Sequence, residues 1–322
     1  MKLNLTKMLF LTNLVTSTVA TLASNTIFTA WVMMEINFMS FLPLMSKSKK
    51  MTDQPMKYFI IQSLSSSLML MSIMVNSIME APLTESMLML TSMMMKIGLI
   101  PFHLWMPSIM QNMSWENCMI FTTIQKIPPM IIIAQTLSLK MLMVPMCATL
   151  LLAPMSAINQ LSTKKIMAYS SISNSPWMIF ATMSSKMQMV MMFTIYTMIT
   201  INMMKKFKSM NLMFMNQMMM KTKNNSMEMI VNMLSLSGIP PMIGFFPKWM
   251  ILSSSIQQSI SMASFMILSS VLSSFIYLKM MSPMLMSFTM LNKLMIQKPE
   301  ISSSLMLNIL GIPLMAVILK SI

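Results

Sequence analysis

Residues 96–107 read Lys96-Ile-Gly98-Leu-Ile-Pro101-Phe-His103-Leu-Trp105-Met-Pro107 and lie inside a long apolar segment. A second apolar segment contains Ser237-Gly238-Ile-Pro240-Pro241-Met-Ile-Gly244-Phe-Phe-Pro247-Lys248-Trp249. Because proline removes a backbone donor and clashes with the preceding helical turn, both segments are predicted to be interrupted helices. In a bilayer, such an interruption is tolerated where buried protein or water satisfies the free backbone groups. Corresponding interruptions in two halves of a transporter indicate repeated halves and a pathway near the membrane midplane.

The composition places these stretches in a membrane protein. Of the 322 residues, 56% are hydrophobic and only 9% are charged. A soluble domain carries about 25% charged residues, so a soluble globular enzyme is excluded. At roughly 20 apolar residues per crossing, the chain has room for about ten or eleven transmembrane helices.

Apolar segments and polar loops alternate along the whole chain, which predicts an all-α polytopic membrane protein. We expect eleven segments, at about 3–23, 26–45, 57–79, 86–106, 116–136, 141–161, 166–183, 187–204, 227–251, 260–280 and 302–320. Five segments fall in each of two halves, at 1–138 and 139–282, and a loop with a final helix fills 283–322. Each interrupted helix is then the fourth of its half, and a Gly-x-x-Pro sequence occurs in both, at Gly98–Pro101 and Gly244–Pro247.

The basic residues indicate the orientation in the membrane. All 22 of them are lysines, and the formal net charge is +15. Nucleic-acid binding is disfavoured, because these lysines lie in short loops and no arginine is present to grip phosphate. With eleven helices, most loop lysines fall on the side of the N-terminus, while Lys140, Lys186 and Lys320 fall on the other. The positive-inside rule then places the N-terminus in the compartment of synthesis and the C-terminus opposite.

Four charged residues lie within the apolar segments: Glu35, Lys96, Lys126 and Lys248. A charge at membrane depth costs about 2.5–3.5 kcal/mol on insertion scales, so these positions are candidates for function. Lys96 and Lys126 lie near the middle of their segments. Lys248 lies near the end of its segment, where a side chain that snorkels to the interface is an equal alternative.

Nothing in the sequence predicts a cofactor or metal site in this chain. There is no CxxC, P-loop or GxGxxG motif, and the single histidine, His103, excludes a metal cluster built on histidines. Two roles remain open for His103, a structural hydrogen bond and proton shuttling.

Four motifs, in order along the chain, carry a resemblance to a known family. They are Trp31-Val-Met-Met-Glu35-Ile-Asn37-Phe-Met-Ser40-Phe-Leu-Pro43-Leu, Lys96 through Pro107, Asn159-Gln160-Leu-Ser-Thr-Lys-Lys165-Ile-Met-Ala168-Tyr169-Ser-Ser171-Ile, and Gly238-Ile-Pro240-Pro241 through Pro247-Lys248-Trp249. With these motifs the chain resembles the subunit 2 family of mitochondrial NADH dehydrogenase, one of the antiporter-like families of respiratory complex I. The resemblance covers most of the chain and weakens after about residue 280.

The resemblance implies a proton channel made of two inverted five-helix repeats and a C-terminal helix. Its relay residues would be Glu35, Lys96, Lys126 and Lys248, with His103 as a further candidate. The whole complex would use NADH, FMN, iron-sulfur clusters and ubiquinone, none of them in this chain. The implied partners are other membrane-arm subunits, including further antiporter-like subunits, and lipids such as cardiolipin. The implied location is the mitochondrial inner membrane, with the N-terminus in the matrix and the C-terminus in the intermembrane space.

The chain departs from the family pattern near the third motif. Asn174 stands where a histidine is common, Pro176 where glycine is usual, and Lys164 where arginine is common. Because Asn174 cannot titrate near neutral pH, a proton route through this position would need water or Tyr169 as a bridge.

Two other classes of function remain as alternatives. A free-standing cation/proton antiporter would share the helices and the buried charges, but would need no partner subunits. A passive structural subunit would link pumping neighbours, yet such a spacer would gain stability by losing its buried charges.

Overall fold

The computed structural model describes residues 5–46, 53–79, 86–220, 223–240 and 242–291. Within these ranges the chain is helical and contains no β-strand, and Ser162 and Phe214 form an isolated antiparallel bridge. The helices are α1 Leu5–Ala23, α2 Ile27–Met45, α3 Asp53–Ile78, α4 Met87–Ile97, α5 Trp105–Asn112, α6 Trp115–Thr122, α7 Ile127–Thr136, α8 Leu139–Ile158, α9 Thr163–Ser184, α10 Lys186–Ser209, α11 Lys223–Ser237, α12 Phe245–Gln258 and α13 Ile260–Leu291. The predicted all-helical class is confirmed.

Seven helical stretches of the described chain are long and apolar enough to cross a bilayer. They are Leu5–Ala23, Ile27–Met45, Asp53–Ile78, Trp115–Thr136, Leu139–Ile158, Lys186–Ser209 and Ile260–Met286. The apolar helices Met87–Ile97 and Met227–Ser237 are shorter, because each ends at an interruption. The count of eleven segments and the inverted repeats stay predictions, and the segment 302–320 lies outside the described residues.

The chain divides between Thr149 and Leu150 into two compact units. In the first unit, α1 packs on α2, α2 on α3, and α3 on α4. Aromatic rings fill its centre: Phe121 stacks on Phe41, with ring centroids 6.0 Å apart, and meets Trp105 edge-on at 5.8 Å. Aromatic pairs in these geometries add to the free energy gained from burying the rings.

The second unit is built around α9, in which every residue from Ile166 to Ala181 is buried. Helices α10, α12 and α13 pack against it. Several of its buried residues are polar, and they bond to the helix's own backbone: Ser171 donates to the carbonyl of Ala168, and the Asn174 amide donates to that of Ser170. Such local bonds satisfy polar side chains inside a buried helix.

The two predicted interruptions are confirmed, and both form in the same way. Gly98 follows α4 at a φ of +78°, and Gly238 follows α11 at +77°. In each case the next residue donates its N–H to the carbonyl five positions earlier, from Leu99 to Met94 and from Ile239 to Leu234. This is the glycine-terminated helix end in which a left-handed residue satisfies the last carbonyls.

The shared Gly-x-x-Pro sequence begins at glycines of different backbone conformation, so it adds no support to the predicted repeats. Gly98 ends a helix in the left-handed region, whereas Gly244 precedes α12 at a φ of −68°. The geometric counterpart of Gly98 is Gly238. Gly244 serves a different need, because a Cβ atom at this position would lie 1.8 Å from the carbonyl oxygen of Ser235.

We predict that Gly244→Ala prevents assembly of the native protein, because α12 would have to move away from the backbone of α11. The amount of native protein in mildly solubilised membranes measures this effect. Ser253→Ala, an exposed position on the same helix, is the matched control and should leave the amount unchanged. A Gly244→Ala protein present at the control level would contradict the close approach.

Candidate functional site

Glu35 and Lys96 meet inside the first unit. Lys96 lies in the last turn of α4, two residues before Gly98, and its Nζ is 3.9 Å from Oε1 of Glu35 on α2. The side chains of Lys96 and Glu35 are 6% and 23% exposed. At this distance the charges attract each other without a direct hydrogen bond, and a water molecule can join them. The two predicted residues therefore form an ion pair whose charged groups can move apart without breaking a direct hydrogen bond.

Lys126 lies at a further interruption, which the sequence analysis missed. The segment predicted at 116–136 is two helices, α6 and α7, joined by a 3₁₀ turn over Ile124–Lys126. Pro128 and Pro129, in the first turn of α7, are the signal that could have found it, because proline favours the start of a helix. Lys126 is only 3% exposed.

A cavity of about 40 Å³ joins the three predicted residues of this unit. Its lining includes Glu35, Lys96 and Lys126 together with Asn37, Tyr58, Gln62, Trp105 and Gln125. Three buried polar atoms at this lining have no hydrogen-bond partner among the described residues: Asn37 Oδ1, Trp105 Nε1 and Gln125 Nε2. A buried water needs roughly 10–15 Å³ and two to four polar partners, so the cavity suits two or three waters. Water there would connect Lys96 to Lys126.

Three further polar residues line this cavity and were not predicted from the sequence: Tyr58, Gln62 and Gln125. Tyr58 and Gln62 are four residues apart on α3, which places both on the face turned to the cavity. Both are buried in an apolar helix. Polar side chains at i and i+4 in such a helix are the signal that could have found them.

Lys248, on α12, reaches back across the second interruption. Its Nζ donates hydrogen bonds to the carbonyls of Leu236 at 3.2 Å and Ser237 at 2.9 Å, at the end of α11. It also lies 5.8 Å from the ring centre of Trp177. The end of a helix carries partial negative charge, which stabilises an ammonium group there. Lys248 is buried, which favours the functional interpretation over a side chain that snorkels to the interface.

Gly238 makes this arrangement possible. A Cβ atom at Gly238 would lie 2.9 Å from Cδ and 3.2 Å from Nζ of Lys248. The glycine therefore both ends α11 in the left-handed region and leaves room for the lysine. At Gly98 the nearest atom to such a Cβ is the flexible end of Met106, at 3.3 Å, and no lysine is involved.

Lys96 and Lys248 thus differ in their position along the chain relative to the two interruptions. Lys96 precedes its break and faces a carboxylate, whereas Lys248 follows its break and faces backbone carbonyls. Aligning Gly98 with Gly238 places Leu236 at the position of Lys96, and Leu236 supplies one of the carbonyls that hold Lys248.

Asn174 and Lys248 both line a second cavity, of about 20 Å³. The lining of this cavity includes Tyr196, Ser235 and Gly244 as well. Tyr169 lines a different cavity of about 10 Å³ with Ser170, Ser173 and Tyr277. Of the two bridges expected at Asn174, water therefore fits the cavity, and Tyr169 is not part of its lining.

His103 lies in the link between α4 and α5. Its Nδ1 is 3.3 Å from the carbonyl oxygen of Pro101, and its side chain is not part of the lining of the Glu35–Lys96–Lys126 cavity. This geometry favours the structural role over proton shuttling.

Comparison with known proteins identifies the family. A family profile described as NADH:quinone oxidoreductase/Mrp antiporter, transmembrane, matches residues 24–276. NADH-ubiquinone oxidoreductase chain 2 of Locusta migratoria is 36% identical over 270 residues, which cover 80% of this chain and 79% of that protein. The chain 2 protein of Gallus gallus is 31% identical over 291 residues, covering 85% and 84%. The chain belongs to the NADH-ubiquinone oxidoreductase chain 2 family.

Solved structures share the chain 2 fold at low sequence identity. A chain of respiratory complex I from Thermus thermophilus superposes with a TM-score of 0.78 at 16% identity, covering 96% of this chain and 77% of that one. A chain of the Mrp complex from Dietzia sp. gives 0.70 at 15% identity, covering 92% and 61%. An archaeal membrane-bound sulfane sulfur reductase gives 0.72 at 17% identity, covering 97% and 72%.

We predict that Gly238→Ala destabilises the protein more than Gly98→Ala does. Both variants force a side chain into the left-handed region, at a cost of about 1–2 kcal/mol. Only Gly238→Ala also pushes Lys248 off its two carbonyls, and hydrogen bonds to charged groups contribute about 1.5–3 kcal/mol each. Thermal denaturation of the purified membrane assembly compares the two variants. Equal melting temperatures would contradict the role of Gly238 in placing Lys248.

Proposed function

We propose that this chain is a proton-translocating membrane-arm subunit of an NADH:ubiquinone oxidoreductase of the complex I type. The observation that carries the proposal is the Glu35–Lys96 pair on an interrupted helix, lining the same polar cavity as Lys126. Family membership supports the assignment to the complex. The relatives that match most of this chain are named NADH-ubiquinone oxidoreductase chain 2. The inner mitochondrial membrane is the location that goes with those relatives.

The Glu35–Lys96 pair is the switch in this proposal. The two charges attract each other at 3.9 Å in surroundings of low dielectric constant, which holds the proton on the Lys96 ammonium. When Glu35 moves away or is neutralised, that attraction is lost. The proton can then pass from Lys96 Nζ to a cavity water, leaving a neutral amine.

Lys126 is the acceptor for that proton. It is buried, lines the same cavity, and lies in a turn that two prolines keep out of the regular helical hydrogen-bond pattern. A neutral Lys126 amine takes up the proton and becomes an ammonium. From Lys126 we propose transfer to Lys248 in the second unit and release toward the opposite aqueous side.

The redox chemistry of the complex belongs to other subunits in this proposal. NADH, FMN, iron-sulfur clusters and ubiquinone act there, and the electrostatic changes that they cause drive the relay in this chain. Neighbouring membrane-arm subunits, further antiporter-like subunits among them, are the protein partners, and lipids such as cardiolipin fill the contacts between them. The lysine distribution supports a matrix N-terminus and a C-terminus in the intermembrane space.

A free-standing cation/proton antiporter is the second candidate, because the description of the matching family profile also names the Mrp antiporter. Native electrophoresis of mildly solubilised membranes, with an NADH-oxidation stain, separates the two candidates. We expect peptides of this chain in the very large NADH-oxidising band. A small species without NADH oxidation would instead favour the antiporter.

We predict that Lys126→Met lowers proton translocation by about tenfold while NADH oxidation continues, because the cavity loses its proton acceptor. The measurement is the proton flux into liposomes that contain the whole complex. Lys140→Met removes an exposed lysine of the same unit and is the matched control. Unchanged flux in Lys126→Met, with normal assembly, would contradict the relay.

A further inference from the structure

We propose that Glu228 is a proton-carrying residue that supplies Lys248 along one face of α11. This inference rests on the proposed function, because it adds a second route by which protons reach Lys248, beside the transfer from Lys126. The route runs from the Lys206–Glu228 ion pair through Asn232 and Ser235 to the cavity at Lys248.

Glu228 is an acid that the relay described so far does not use. It lies on α11, is 6% exposed, and forms an ion pair with Lys206 in the last turn of α10. The Lys206 side chain is partly exposed, and the neighbouring Lys205 and Lys208 are exposed. The pair therefore connects a buried carboxylate to the solvated, basic end of α10. From the sequence, these lysines are predicted to lie on the side of the N-terminus.

A buried polar stripe runs from Glu228 along α11. Asn232 and Ser235 follow it at i+4 and i+7, the spacing that keeps side chains on one helical face. Both are 1% exposed. The Ser235 hydroxyl donates to the carbonyl of Asn232 at 2.8 Å. At 1.5 Å per residue, the stripe covers about 10 Å of membrane depth.

The stripe ends at the amine of Lys248. Ser235 and Lys248 line the same cavity of about 20 Å³, together with Asn174 and Tyr196. This volume suits one water molecule. The buried Tyr196 hydroxyl, which has no hydrogen-bond partner among the described residues, is a polar group that can hold that water.

The charges along the route fit a proton-transfer cycle. The Glu228 carboxylate takes up a proton from water at the solvated end of α10, which weakens its attraction to Lys206. The carboxyl group then gives the proton to water held along Asn232 and Ser235, and a neutral Lys248 amine takes it up from there. Glu228 is left as a carboxylate and pairs with Lys206 again, so the step balances.

The main test is Glu228→Gln in the assembled complex, reconstituted in liposomes. We expect the protons translocated per NADH oxidised to fall by roughly twofold or more, because glutamine cannot carry a proton. Glu116→Gln is the matched control. It also removes the acid of an ion pair, with Lys7 at 3.1 Å, but in the first unit and away from the stripe. Wild-type translocation in an assembled Glu228→Gln complex would overturn the proposal.

Two further variants separate proton transfer from a structural role of the ion pair. Glu228→Asp keeps the acid and should restore translocation. Asn232→Leu keeps the ion pair and the side-chain volume but interrupts the stripe, so translocation should fall. If the Glu228→Gln complex does not assemble, the test rests on Asn232→Leu. Normal proton translocation in that variant overturns the proposal.

Lys248→Met in the same series tests the proposed function independently. If Lys248→Met loses translocation while Glu228→Gln and Asn232→Leu retain it, the lysine relay stands and the Glu228 route is wrong. If Lys248→Met retains full translocation, the proposed relay itself fails.

Discussion

The ion pair between Glu35 and Lys96 is the interaction on which the rest of the first unit depends. An ammonium group within an apolar helix needs a partner and some hydration, because the isolated charge is costly at membrane depth. The end of α4 supplies the place, Glu35 supplies the partner, and the polar lining of the cavity supplies the hydration. The charge is thus buried beside a carboxylate and a polar cavity, in the last turn of a helix that ends at Gly98.

The second unit meets the same need with a different partner. Lys248 is held by two carbonyls at the end of α11 and lies near the ring of Trp177. The glycine that ends the helix also leaves space for the lysine. One sequence requirement, a residue without a side chain at a left-handed position, thus fixes both the backbone and the site.

Much of this architecture could be predicted from the sequence because membrane burial imposes strict rules on composition. Charges in apolar segments are rare enough to stand out, which is how Glu35, Lys96, Lys126 and Lys248 were found. Proline and glycine marked the two breaks for the same reason. The break at Lys126 was missed because Pro128 and Pro129 also suit the start of an ordinary helix. Tyr58, Gln62 and Gln125 were missed because their importance comes from a cavity that several helices form together, which no single segment reveals.

The two lysines at the breaks have counter-charges of different kinds. A single proton neutralises a carboxylate, and a side-chain rotation can move it away. The negative charge beside Lys96 can therefore be either present or absent. Backbone carbonyls cannot be discharged, and they move only if the end of α11 moves with them. In the relay that we propose, the counter-charge of Lys96 can therefore change, whereas the carbonyls that face Lys248 keep their partial charge. The two ends of the proposed relay thus differ in the choice of counter-charge alone, a carboxylate at Lys96 and backbone carbonyls at Lys248.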